Sequence, residues 1–169
     1  MANPSVYTAA TSTPVSLAEA KAHLRVDVTD DDALIVNQIA AATNYCEGIS
    51  QKKFVTQTLD WTLDAWPNAD GFRLPIGPVQ SVTSITYTDE DGNSDTVSSD
   101  DYIVDTARQM IALKASAEWP TATLQKIAGI VIRYVAGYGA ASAVPDEMKH
   151  AVLLVLGDWW NNHKLANSQ

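Results

Sequence analysis

The residues able to do chemistry in this 169-residue chain are few and scattered. Its three histidines are His23, His150 and His163. No two of them stand three or four residues apart, the spacing that sets two imidazoles on one helix face around a metal. Cys46 is the only cysteine, so neither an intrachain disulfide nor a cysteine-pair zinc site can form. It sits on an apolar helical stripe and reads as a small core residue. Asp89, Asp91 and Asn93 superficially suggest a calcium loop. Gly92, however, comes fourth in that loop rather than sixth, and no Glu closes it, so a hairpin tip explains the residues with less. Asp30, Asp31 and Asp32 suit a helix start, and Asp100-Asp101 a turn. Gly137-Tyr138-Gly139 offers two glycines only, too few to cradle a phosphate, and reads as a tight turn leaving a strand. No Gly-x-Ser-x-Gly elbow occurs. The expectation is a chain with no catalytic residue, no metal and no cofactor.

The elements that would position any site change period along the chain. Residues 1–14 are rich in Ala, Thr, Ser and Pro and read as an extended arm. Ser16-Leu17-Ala18-Glu19 has the spacing of a capping box, with Val15 placed to staple onto a short helix from about Leu17 to Leu24. Thr29 is the next expected cap, with the three aspartates in the first turn complementing the helix dipole. That second helix runs to about Ile49 on a stripe of Ile35, Ile39, Ala42, Cys46 and Ile49. Leu59, Trp61, Leu63 and Ala65 then alternate with polar residues as a strand with one wet face. Turns are expected over 66–71 and at Gly77-Pro78, and Asp91-Gly92 suits a hairpin after the strand Val79 to Thr88. Strands near Thr96-Val97, Tyr102–Val104 and Met110–Leu113 follow. The run from Ile127 to Val135 is almost wholly apolar and predicts a strand buried on both faces.

Pro145, Asp146 and Glu147 open a last helix, about 145–163. Met148, Ala151, Val152, Val155, Leu156 and Trp159 form its main face, while Leu153, Leu154 and Trp160 fall off it. A helix apolar nearly all round must be covered on more than one side. Either it lies deep in its own core, or Leu153, Leu154, Trp159 and Trp160 meet another chain. The expected class is α+β: two N-terminal helices within 16–50, an antiparallel-rich sheet or sandwich of about six short strands within 55–137, and one long C-terminal helix.

Composition limits the partners. Apolar residues make up 46% and charged residues only 18%, with five tryptophans, which suggests that much of the surface is covered by something, copies of itself included. Net charge is -9 and the 11 basic residues are scattered, so no cluster exists to grip nucleic acid by its phosphates. An acidic wall facing DNA without holding it stays compatible with this balance, as does ordinary solubilising charge. The start, Met1 to Thr13, lacks the basic and apolar regions of a signal peptide, and no apolar stretch approaches the ~20 residues that span a bilayer. No membrane partner is expected, and the chain suits a reducing cytoplasm or a particle assembled there.

Several segments, taken in order, resemble tailed-phage head–tail connector (adaptor) proteins. They are Pro14-Val15-Ser16-Leu17-Ala18-Glu19-Ala20-Lys21-Ala22-His23-Leu24-Arg25-Val26, Asp31-Asp32-Ala33-Leu34-Ile35, and Ala41 to Glu47. Leu74-Pro75-Ile76-Gly77-Pro78-Val79 with Val82-Thr83-Ser84-Ile85 resembles the inserted β part of the longer members. Ile132 to Gly139, Val144-Pro145 and Asp158-Trp159-Trp160 resemble their closing segment. One departure is visible: where members often end the last helix with an aromatic, an acid and an arginine, Trp160 here precedes Asn161-Asn162-His163-Lys164.

The resemblance implies a single connector domain over 15–163 with a tail at 164–169. It implies a structural subunit without catalysis or cofactor, in a ring of usually about twelve copies between the portal and the tail. The implied partners are sister copies, the portal protein and the next neck or tail-terminator protein. DNA would pass through the channel without specific binding. The location would be the virion neck, after the host cytoplasm. The family's C-terminal segment commonly docks on the portal, which carries over to the polar segment Asn161 to Gln169, with Asn161, Asn162, His163, Lys164 and Leu165 as the contact. Competing expectations are another neck or tail-completion protein, a β-rich binding module unrelated to phage, and a hydrolase with a concealed site.

Overall fold

A computed structural model describes residues 4–67 and 71–167, and for 163–167 only the helical backbone. The order of elements is β1 (Ser5–Thr8), α1 (Leu17–Leu24), α2 (Asp32–Ser50), β2 (Gln57–Leu63), β3 (Gly71–Arg73), β4 (Val79–Thr88), β5 (Ser94–Thr96), β6 (Tyr102–Asp105), β7 (Met110–Leu113), β8 (Ile130–Ala136) and α3 (Asp146–Asn167). The class is α+β, as the periodicities predict. The chain divides into two compact units, each built from two stretches of sequence. The helical unit comprises 10–55 and 138 onward; the β unit comprises the first nine residues and 56–137.

In the helical unit, α1 starts on the expected capping box. Ser16 Oγ accepts from the Glu19 amide at 3.2 Å, and Glu19 Oε2 accepts from the Ser16 amide at 2.7 Å. These bonds to Ser16 hold the Glu19 carboxyl below its ordinary value. The helix stops because Arg25 turns left-handed (φ 55°) and the Val26 amide reaches back to the Lys21 carbonyl. The start of α2 differs from expectation. Its cap is Asp31, without a side-chain cap bond, and Thr29 contributes only its carbonyl, to the Asp32 amide. Lys21 fixes this start from α1, donating to Asp32 Oδ1 at 2.6 Å and to the Val28 carbonyl at 2.8 Å.

Along α2, Ile35, Ile39 and Ala42 are buried as predicted, and burial pushes the Cys46 thiol up. Ile49 is not part of this stripe: it is 69% exposed. The buried face turns instead through Thr43 to Glu47, which is 4% exposed. Glu47 accepts from the Phe54 amide and from Lys53 Nζ, both at 2.8 Å, closing the chain back onto α2 after the left-handed Gln51. A carboxylate is tolerated at this depth because it gains a cation and a backbone donor together. The unit's core gathers Val15, Ile35, Ile39, Phe54, Val152, Leu156 and Trp160.

The β unit holds two antiparallel sheets, ordered β1-β2-β8-β4-β5 and β3-β7-β6, that share one core of Leu59, Trp61, Leu74, Ile85, Ile111, Ile132 and Tyr134. This makes eight strands among the described residues where about six were expected. One addition is β1: within the stretch expected as an extended arm, residues 5–8 pair with β2 as a strand, with a bulge between Val6 and Thr8. The strand β8 is central, as predicted, yet it is not buried on both faces. Ile130, Ile132, Tyr134 and Ala136 are buried, while Val131, Arg133 and Val135 alternate with them, partly exposed. Among the described residues, one face of the larger sheet has the second sheet against it.

On the outer face, Arg133 grips Asp60 of β2 with two bonds of 2.7 Å, and Tyr7 of β1 lies with its ring centroid 3.3 Å from the guanidinium. The hydrogen bonds to Asp60 hold Arg133 above its ordinary value. The hairpin tip is tied by Asp89, whose carboxylate accepts from the amides of Asp91 and Asn93, and Gly92 takes φ 86°. Burial pushes the Tyr134 phenol up. The turn expected over 66–71 falls partly on 68–70, outside the described residues.

Candidate interaction surface

Among the described residues no three His, Cys, Asp or Glu side chains stand together as a metal-holding group. No helix of the described residues is long and apolar enough to cross a membrane. His23 of α1 packs against α3, its Nε2 standing 3.2 Å from where a side chain on Gly157 would begin. His150, two turns before Gly157 on that helix, is exposed, and His163 lies outside the described side chains. A shallow cleft of about 500 Å³ lies against the start of α1, lined by Thr13, Ser16, Glu19, Ser142 and Lys149 among others. Its one carboxylate is already engaged in the helix cap. The surfaces left to consider are those of the helices.

The helix α3 begins where the sequence predicts. The Pro145 carbonyl accepts from the amides of Met148 and Lys149, and Asp146 and Glu147 occupy the first turn. Its buried stripe is Val152, Leu156 and Trp160, spaced by four. That stripe is rotated from the expected one. Trp160, expected off the main face, is 3% exposed and inside the unit's own core, because a step of four residues returns a side chain to within about 40° of its starting direction. Trp159 sits at the edge of the core, partly exposed, with its ring edge-on to Tyr45 of α2 at 5.8 Å between centroids. Leu153 is partly buried, and Leu154 is 56% exposed.

The four residues singled out on α3 therefore divide. Trp160 is covered by this chain, Leu153 and Trp159 flank the core, and Leu154 projects from it. Asn161 and Asn162 are exposed beyond the last core residue. The helical backbone continues through Asn167, past the expected end at 163. The side chains of His163, Lys164 and Leu165, and the end of the tail, lie outside the described residues. Sequence reasoning did not find the exposed pair Tyr45 and Ile49 on α2, which the structure sets near Trp159 and at the helix end. A signal existed in the absence of any charge between Asp32 and Glu47.

Comparison with known proteins gives this surface a context. The sequence matches the family of phage gp6-like head-tail connector proteins over residues 14–119. Among solved structures, the chain is similar to one in the neck of an empty gene transfer agent particle computed with C6 symmetry. The TM-score is 0.81 and the identity 27%, covering 95% of this chain and 84% of that one. A chain in the neck of the native particle, computed with C12 symmetry, gives 0.79 and 27% over 95% and 84%. A chain in the native gene transfer agent virion gives 0.79 and 26% over 94% and 84%. The search of curated proteins returned no match. With well over half of its length matched, this chain belongs to the phage gp6-like head-tail connector family.

Proposed function

We propose that this chain is a structural, non-catalytic subunit of a ring of about twelve copies in the neck of a tailed-phage-like particle, between portal and tail. The observation that carries this reading is the likeness over 95% of the chain to a protein in a particle neck, at a TM-score of 0.81. The C6 and C12 symmetries of those necks support a ring of copies. The chain is made in the host cytoplasm and ends in the virion. Its partners are its own copies, the portal protein, and the next neck or tail-terminator protein.

In this reading Leu154, on the side of α3 away from the core, meets a neighbouring copy, with Leu153 and Trp159 at the two edges of that side and Trp160 bracing the helix from within. Asn161, Asn162, His163, Lys164 and Leu165 continue α3 beyond the core and carry the portal contact. DNA passes through the ring without being held, because a chain of net charge -9 with scattered Lys and Arg repels phosphates rather than gripping them.

The test is electron microscopy of the purified protein mixed with the portal of its particle. The expected result is an added ring of density on one end of the portal. A portal unchanged at saturating protein would overturn the reading. Lysines introduced along the bore should leave the ring intact and impair DNA passage.

A further inference from the structure

We propose that residues 5–8 are an exchangeable strand: in the assembled particle, β1 of one copy pairs with β2 of the next copy instead of with its own. The inference rests on the ring reading above. The edge of β2 is a site with a defined ligand. Ser5 stands opposite Asp60, Val6 opposite Leu59 and Thr8 opposite Thr58. The Ser5 hydroxyl donates to the Asp60 carbonyl at 3.4 Å, and the Tyr7 ring centroid lies 3.3 Å from the Arg133 guanidinium. Two bonds of 2.7 Å to Asp60 already hold that guanidinium still, so an aromatic side chain lands on a fixed, flat cation.

The ligand is loosely held. All four residues of β1 are exposed even when docked, Val6 at 48% and Tyr7 at 58%. The pairing is broken by a bulge and runs along one side of β1 only. A strand near a chain end that buries so little opens readily. The chain changes unit directly after it, residues 1–9 grouping with the strands and 10–55 with the helices. No helix or strand intervenes between Thr8 and Leu17, and nine residues drawn out span about 30 Å. β1 is therefore a strand on a tether.

Sequence identity selects the occupant. The edge of β2 fits residues 5–8, as the structure seats them there, and a sister copy carries the same four residues. An exchanged strand makes every contact that the resident one makes, so the swap loses no pairing and joins two chains. Copies held side by side raise the local concentration of each neighbour's strand, which favours the exchange in the particle over the dilute chain. An unrelated protein would have to reproduce both the residue opposite Leu59 and the aromatic over Arg133.

The experiment uses the full chain carrying Cys46→Ala, Thr8→Cys and Thr58→Cys, assembled into its particle and treated with a short thiol cross-linker. The expected product is a ladder at multiples of the 18.2 kDa chain mass, its joined peptides containing positions 8 and 58. The same variant, dilute and unassembled, should stay at single mass with an internal link. Single-mass chains alone in the particle, a ladder joined elsewhere, or no linkage overturns the proposal and leaves the neck reading standing. Unaltered particles that lack the chain overturn both. As a second measure, benzoylphenylalanine replaces Tyr7 in particles built from equal amounts of isotope-labelled and unlabelled chain. Irradiation should join it to the 131–135 stretch, with about half of the adducts pairing a labelled with an unlabelled chain. Adducts that pair only like with like, or that hold a protein of another mass, overturn the proposal.

Discussion

Glu47 and Lys53 form an ion pair of 2.8 Å at the end of α2 in which the carboxylate is almost wholly buried and the ammonium is not. The asymmetry makes the two partners unequal in mutation. Lys53→Met removes the cation and leaves Glu47 charged in a poor environment, so the free chain should lose about 2–3 kcal/mol in urea unfolding. Glu47→Gln keeps an acceptor for the Phe54 amide and should cost less, and combining the two should recover part of the Lys53→Met loss. Equal losses from the single changes would show that the charge is already relieved by solvent.

The capping box of α1 should carry a pH dependence. The Glu19 carboxyl is lowered by its bonds to Ser16, so its contribution is fully present above the ordinary carboxylate value near 4.5. It is lost as pH falls through the lower, folded-state value. Ser16→Ala should cost about 1 kcal/mol at neutral pH. Glu19→Gln should be less stable than the parent at pH 7, and that difference should shrink below the ordinary value and vanish only once pH has fallen below the lower, folded-state value. A difference that persists at low pH would mean that packing, not ionisation, carries the effect.

At Gly157 the neighbour is the far end of the flexible His23 side chain, at 3.2 Å. Gly157→Ala should be close to neutral, since a small shift of His23 is offset by better helix propensity. Gly157→Ile should force α1 away from α3 and cost roughly 1–3 kcal/mol, read from thermal or urea unfolding.

The pair Arg133 and Asp60 locks β8 to β2 on the outer face of the larger sheet, with Tyr7 over the guanidinium. Arg133→Lys keeps the charge but loses the fork and the flat surface that Tyr7 covers. It should lower the urea midpoint by less than Lys53→Met does. It should also raise hydrogen exchange at Val6 and Thr8, because β1 is an edge strand held on one side only.

Leu154 separates folding from assembly. It is more than half exposed, so Leu154→Asp should change the stability of the free chain by no more than about 0.5 kcal/mol. The same change should abolish addition of a ring to the portal in electron micrographs. An intact ring would remove this part of α3 from the contact.

What the sequence made legible was local. The box Ser16 to Glu19, the stripe Ile35-Ile39-Ala42, the wet and dry faces of β2 and the Pro145 start of α3 all rest on neighbours within a few residues, and all were found. The errors came from contacts distant in sequence. β1 becomes a strand only because β2 lies beside it, some fifty positions away. The apolar run from Ile127 to Val135 reads as doubly buried until Arg133 is matched with Asp60 across the ladder. Trp160 seemed surplus because the helical stripe was phased on Trp159, and α1 and α2, which decide the phase, are not visible from α3. The uncharged side of α2 was present in the letters, but only exposure distinguishes a covered alanine from a bare one.

The Tyr138 amide donates to the Phe54 carbonyl at 3.0 Å, although 83 residues of intervening chain separate them. The detour that builds the β unit thus leaves and re-enters the helical unit through a doorway one peptide wide. A tight turn could replace everything from 56 to 137 with no stretching of the flanking backbone. Strands β2 to β8 are a cassette: an ancestor or an engineer can enlarge, exchange or excise them while the three helices keep their places, at the cost of the partner that β1 has in β2.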